Sequence, residues 1–268
     1  MLPDQGIKRE LSFTEVFSKT FQLYGRDFAK YFVLFAVVEV IIGVVTALAR
    51  SYFVLPTISP NPTWQEVINW LPGFLATLGL LVGTIFVATV VFFPIAQGGA
   101  IKLASGQIER GQADLGESVR FAASKLLWIW ALTIVVGVIV TLGFIALIVP
   151  GIILAIMFIL SFPVLLIENK GVTDSMGRSR QLVGNRWFKT FTLFLVLGIG
   201  LAIASAIVSA VSAPFGVASP VVNGLLSAFY EPVFPILLTV YYYSNLARVT
   251  LLRAGPMQVP PPAGTRVG

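Results

Sequence analysis

The chain has 268 residues, 57% of them hydrophobic and only 11% charged, with a mean hydropathy of +0.90; soluble domains average about 25% charged residues, so this composition belongs to an integral membrane protein. Histidine and cysteine are both absent, which excludes disulfides, Cys/His zinc sites, thiol nucleophiles and imidazole bases, and neither a cofactor nor a metal is expected. The net charge of +6 lies in short clusters between apolar runs, a pattern that orients a membrane protein and does not call for a nucleic-acid partner.

Lys8 and Arg9 precede no short apolar core with a small-residue cleavage site, so no cleaved signal peptide is expected. In LSFTEVFSKTFQLYGRDF, from Leu11, helical spacing puts Phe13, Phe17, Phe21, Tyr24 and Phe28 on one stripe and Glu15, Lys19, Gln22 and Arg26 on the reverse. That pattern predicts an amphipathic helix lying along the membrane interface, with Thr14 as its N-cap and Gly25 ending it in a left-handed conformation. Four long apolar regions follow: Tyr31 to Ala49, Leu71 to Leu103, Leu126 to Ile167, and Phe188 to Leu246. About 20 apolar residues cross the hydrocarbon of a bilayer. The third region is too long for one crossing and contains LIVPGIILA, where Pro150 and Gly151 predict a tight hairpin. The fourth contains SAPFGVASP and splits likewise at Pro214, Gly216 and Pro220. Six transmembrane helices result, and Gly98 and Gly99 mark a candidate break in the second.

Of the eighteen Lys and Arg residues, all but Arg50 fall on one side of these spans. Basic residues accumulate in short cytoplasmic loops, so both termini are expected in the cytoplasm of a multi-pass protein of the cell membrane. Residues 1–252 are read as a single six-helix membrane domain and 253–268, rich in Pro and Gly, as a disordered tail.

The polar stretch GVTDSMGRSRQLVGNRWFKTF repeats the opening segment. Thr14 to Val37 aligns without a gap on Thr173 to Val196, with Thr14/Thr173, Gln22/Gln181, Leu23/Leu182, Gly25/Gly184 and Lys30/Lys189 among nine identities. In the later copy Val172, Met176, Val183 and Trp187 form the apolar stripe, opposite Asp174, Arg178, Gln181 and Asn185; Thr173 is the expected N-cap and Gly184 the expected terminator. A middle copy begins at Asp114 with Leu115, Val119, Ala123, Leu126 and Trp130. The predicted all-α fold is therefore three repeats, about 12–104, 113–168 and 172–247, each an interfacial amphipathic helix followed by a transmembrane hairpin.

The run from LIVPGIILA to RQLVGNRW resembles the membrane domain attached to some glycerophosphoryl diester phosphodiesterases and also found alone in bacterial and archaeal membrane proteins. Its matching elements are Pro150 and Gly151, Pro163 late in the next span, Glu168 at its end, and Ser179, Arg180 and Gly184. The family often closes with a tyrosine and an acid before an arginine, whereas YYYSNLARV carries Asn245 there. The resemblance implies a multi-pass module; phosphodiesterase chemistry belongs to a separate barrel that uses histidines, which this chain lacks, so no enzymatic activity is expected.

Two acids stand out because they fall inside predicted spans. Glu39 is nine residues past Lys30, about 13 Å along a helix, and Glu231 precedes Pro232 midway along the last span. An ionised acid at the bilayer centre costs about 2.5 to 3.5 kcal/mol, so both are expected to face the bundle, as functional groups or as neutral hydrogen-bonded ones. Position 198, which matches Glu39 in the repeat, is Gly198. Arg178, Arg180, Arg186, Lys189, Lys19 and Arg26 are candidate ligands for anionic lipid headgroups on the cytoplasmic side, and Glu168 is expected to pair with the neighbouring bases. Ala202, Ala206 and Ala210, with Ser205, Ser209 and Ala213, have the spacing of close helix packing, inside the bundle or against another membrane subunit. The leading expectation is a non-enzymatic, lipid-interacting scaffold or subunit of a membrane complex; the alternative is a proton- or cation-coupled transporter or channel using Glu39 and Glu231.

Overall fold

Local polar chemistry sets where the helices start. In the computed structural model, which describes residues 6–254, α1 (Phe13–Arg26) opens at Ser12: its hydroxyl accepts from the Glu15 amide while the Glu15 carboxylate accepts from the Ser12 amide. The reciprocal pair satisfies two backbone donors that a helix start leaves open. Thr14, the expected cap, lies inside the first turn. α3 (Trp64–Arg110) begins with the same arrangement at Thr63 and Glu66, and α4 (Leu115–Ser124) begins at Asp114. α8 (Val172–Val183) starts at Gly171 without a side-chain cap, so Thr173 is not the N-cap either.

The predicted glycine terminators are also corrected. Gly25 is helical within α1, which ends at Asp27 directly before α2 (Phe28–Tyr52). Gly184 is extended, with φ −49° and ψ 134°; the left-handed residue is the adjacent Asn185, φ 60°. Asparagine tolerates that conformation through local hydrogen bonding, and Asn169 does the same after Glu168, φ 52°.

The long helices follow the apolar runs. α5 (Leu126–Ala146) and α6 (Ile148–Phe158) form the predicted hairpin around one extended residue, Leu147. Pro150 sits in the first turn of α6, where its missing N–H leaves no ladder bond unmade. Gly151 is not a turn residue: it is helical and lets the two arms touch, since a Cβ on Gly143 would lie 3.0 Å from the Gly151 Cα. α7 (Ser161–Ile167) continues α6 after a break whose open groups are met from α8. The Leu160 amide donates to Ser179 Oγ at 3.1 Å, and the Ser179 hydroxyl donates to the Met157 carbonyl at 2.7 Å. After α9 (Trp187–Ser212) the chain reverses through a 3₁₀ turn, Ala213–Ala218, with Gly216 at φ 55°. It returns as α10 (Ser219–Ser227), breaks over 228–232, and ends as α11 (Val233–Ala254). The expected tail lies, from residue 255 on, outside the described residues; 253 and 254 belong to α11.

Among the described residues there is no strand, and five helical stretches are long and apolar enough to cross a membrane: Phe28–Tyr52, Trp64–Arg110, Leu126–Ala146, Ile148–Ile167 and Trp187–Ser227. α11 stands apart because it is wrapped by protein. Ile236, Leu237, Val240 and Tyr241 are fully buried, and the helix packs on α1, α3 and α8, so it carries Thr239, Ser244 and Asn245 shielded from lipid. The first half of α3 is bare by comparison, with Trp64, Ile68, Leu75, Val82 and Phe86 exposed.

Three further expectations change. α3 runs unbroken through Gly98 and Gly99, which serve as close contacts: Cβ atoms there would lie 3.2 Å from Ala122 and 3.1 Å from Leu34. Ala202, Ser205, Ala206 and Ala210 are exposed, so most of the small-residue stripe is open, while Ser209 at its end faces Asn223 of the returning helix. α1 buries Val16, Thr20 and Leu23 fully, and of the predicted stripe Phe13, Phe17 and Tyr24 pack against the core while Phe21, and Phe28 at the start of α2, stay exposed.

Candidate functional site

One close helix contact brings an acid with it. α10 runs along α2, and a Cβ on Gly43 would lie 2.7 Å from the Pro220 carbonyl oxygen; one on Gly224 would lie 2.7 Å from the carbonyl oxygen of Glu39. Two bare glycines therefore set backbone against backbone at the level of Glu39. The turn that follows α10 ends at Pro232, which cannot donate to the chain before it, and carries Glu231 toward α2. The side chains of Glu39 and Glu231 are close enough to interact. Among the described residues no protein donor reaches the buried Oε2 of Glu231. An ionised carboxylate only accepts, so a hydrogen bond between the two carboxyls requires a proton on one of them.

Each acid opens on a different cavity. Glu39 lies at the floor of a polar vestibule of about 360 Å³, walled by Thr46, Ser209, Ser212, Ser219 and Asn223 and reaching Arg50 at the end of α2. The Asn223 amide donates to Ser212 Oγ at 3.1 Å, tying α10 to α9 across the vestibule wall. Glu231 instead lines a chamber of about 720 Å³ built from α3, α5, α6, α7, α9 and α11. Its walls are apolar and aromatic, and Gln97, Thr133 and Tyr230 are the polar residues there beside Glu231.

The cationic residues singled out in the sequence sit at the other level of the molecule and are mostly engaged within it. Arg186 donates to both oxygens of Glu10 at 2.7 Å, and Lys189 donates to Glu10 Oε1 at 2.7 Å. The Arg186 guanidinium, with Lys189 beside it, holds the Glu10 carboxyl at about 2, against the opposing effect of partial burial. Arg178 pairs with Glu168 at 3.1 Å and Lys170 approaches the same acid at 3.5 Å, as expected for Glu168. Arg26 donates to the Gly111 carbonyl at 3.0 Å. Lys19 is half-buried beside Lys8 and Arg9 in a shallow cleft, and Arg180 is exposed.

Sequence reasoning missed Glu10 and the three consecutive tyrosines of α11. Tyr241 Oη lies 2.6 Å from Thr190 Oγ1 in α9. Tyr242 donates to Glu168 at 3.0 Å, and Tyr243 lies 3.0 Å from Ser105 and bonds Glu109, both in α3. Adjacent residues on a helix point about 100° apart, so three tyrosines in a row reach three directions. That spacing was the one available signal.

Among the described residues no group of three or more Asp or Glu side chains could hold a metal. Comparison with family models, with curated proteins and with solved structures gives no match.

Proposed function

We propose that the chain is a multi-pass membrane module whose working centre is the Glu39–Glu231 pair, and that it moves a solute in step with a proton bound there. Of the two readings drawn from the sequence, this takes up the transporter; the scaffold reading loses weight because Arg178, Arg186, Lys189 and Arg26 already have partners inside the chain. The observation that carries the proposal is the meeting of the two acids between a polar vestibule and an apolar chamber. A buried carboxyl pair holds a proton between two acids, and its two faces give that proton separate routes in and out.

The architecture proposed around it has six crossings in three repeats, α10 and α11 together making the sixth, with α1, α4 and α8 lying along the cytoplasmic interface. What supports it is the order of elements: each short polar-faced helix breaks, at Asp27, Lys125 or Arg186, directly into a long apolar one. The absence of cysteine makes topology directly testable. Single substitutions Ser59→Cys and Ser124→Cys, both at exposed positions, are expected to react with a membrane-impermeant thiol reagent from opposite sides; labelling from the same side would overturn the arrangement. For transport, purified protein in vesicles holding a pH-sensitive dye and supplied with a mixture of inorganic and organic cations is expected to dissipate an imposed pH gradient, with Glu39→Gln and Glu231→Gln inactive. Equal rates in protein-free vesicles, or in both variants, would defeat the proposal.

A further inference from the structure

The apolar chamber is the largest cavity described, and its volume of about 720 Å³ falls within the roughly 300 to 1,000 Å³ of small-molecule sites. Its lining names the chemistry of an occupant. Phe93, Phe158, Phe162, Phe234 and Tyr230 contribute five aromatic rings, and Glu231 is the one charged residue among the lining groups. The other charged or titratable groups nearby do not compete for that carboxylate. Glu39 approaches from α2 as an acid; α3 and α5 offer Gln97 and Thr133, and α6, α7 and α9 line the chamber with apolar residues. Arg50 stands at the far end of the vestibule, beyond Glu39. A neutral lipid chain would fill the volume but offer nothing to the Glu231 carboxyl, and an anion would meet two acids. A cation answers both the acid and the rings, whose faces attract positive charge.

We propose that the chamber binds a lipophilic organic cation, its charged centre against Glu231, in exchange for the proton that the Glu39–Glu231 pair holds. The inference rests on the transport reading and adds the class of solute to it. Charge balances in the exchange: the pair carries one proton when the chamber is empty, releases it toward the vestibule as the cation arrives, and takes it back as the cation leaves. Glu231 is then the cation's partner and Glu39 the group that relays the proton to the polar side.

The test uses the full chain in detergent and two probes of like shape and opposite charge, tetraphenylphosphonium and tetraphenylborate. The wild-type protein is expected to bind the phosphonium and not the borate, to release protons on binding in weakly buffered solution, and to bind more weakly as the pH falls. Glu231→Gln is expected to weaken phosphonium binding by at least about tenfold, as for loss of one partner of a desolvated charge pair. Gly137→Leu supplies an independent variant: a Cβ at Gly137 meets nothing within 4 Å, so the added side chain has room to enter the chamber, away from both acids. It too should abolish binding. Binding of both probes alike, or phosphonium binding unchanged in Glu231→Gln and Gly137→Leu, would overturn the proposal. Phosphonium binding with proton release in detergent, but no proton movement in vesicles, keeps the site and removes the transport reading. Proton movement in vesicles without phosphonium binding does the reverse.

Discussion

Glu10 and Glu231 are both acids drawn partly out of solvent, yet their surroundings are opposite. Glu10 is gripped by Arg186 and Lys189, with Arg248 4.0 Å away, in a polar layer where α1, α8, α9 and α11 converge. Glu231 meets only another acid, and among the described residues no donor reaches its Oε2. Polar groups that hold a fold are satisfied in place, because an unmet buried partner destabilises it. Glu10 itself has that character, although the Nε of Arg248 beside it lacks a hydrogen-bond partner among the described residues. The acid pair does not, and it is flanked by space on both sides. The difference separates residues that tie helices together from residues that wait for something to bind.

The comparison breaks most readily at the glycines that create the pair. Gly224→Ala pushes a methyl group to within 2.7 Å of the Glu39 carbonyl oxygen, and backbone cannot swing aside as a side-chain end can. The variant is expected to lose about 2 to 3 kcal/mol, the upper range for overpacking a close contact, read as a fall in the thermal midpoint in detergent. Gly198→Ala, where nothing lies within 4 Å, serves as the neutral control. Equal midpoints for the two would mean that α2 and α10 are not locked together.

Glu10→Gln comes next. It strands Arg186 and Lys189, and the loss is expected to be about 2 kcal/mol, below the roughly 3 to 5 of a fully buried pair because Arg186 retains some exposure to water. The pH dependence has a definite sign. The folded-state pKa of Glu10, about 2, lies below its ordinary value of 4.5, so its stabilisation is complete above about 4.5 and disappears as the pH falls toward 2. The thermal midpoint of the wild type should therefore drop through that window, and that of Glu10→Gln should drop less. Tyr242→Phe removes one hydroxyl from Glu168 while Arg178 and Lys170 stay, which is expected to cost about 1 kcal/mol.

These contrasts also mark what the sequence can and cannot disclose. The apolar runs, the Pro150 hairpin and the Glu168–Arg178 pairing are local in the chain, and each is readable from composition and spacing. The true helix starts, Ser12 and Gly171, escape notice because they sit just outside the repeat alignment that draws attention to Thr14 and Thr173. Glu39 and Glu231 are legible one at a time, as acids in apolar runs. Their meeting is not, since it depends on Gly43 and Gly224 letting two backbones touch, a long-range contact with no periodicity of its own. The engagement of Arg186 and Lys189 is hidden likewise, because their partner Glu10 lies far away in the chain, near its start.

The smallest expected effect is the sharpest test of the comparison. Glu231→Gln makes the same chemical change as Glu10→Gln, a carboxylate oxygen replaced by an amide, at a site with no cation to strand. The amide nitrogen can donate to Glu39 where a proton served before, and a hydrogen bond exchanged for one of similar shape is nearly neutral. The midpoint should therefore move by less than about 0.5 kcal/mol, while the infrared signal of the protonated carboxyl and the phosphonium-linked proton release both vanish. If Glu231→Gln were instead to lower the midpoint as far as Glu10→Gln does, the pair would be a structural tie like the Glu10 layer. A chamber beside a structural tie would have no reason to select a cation.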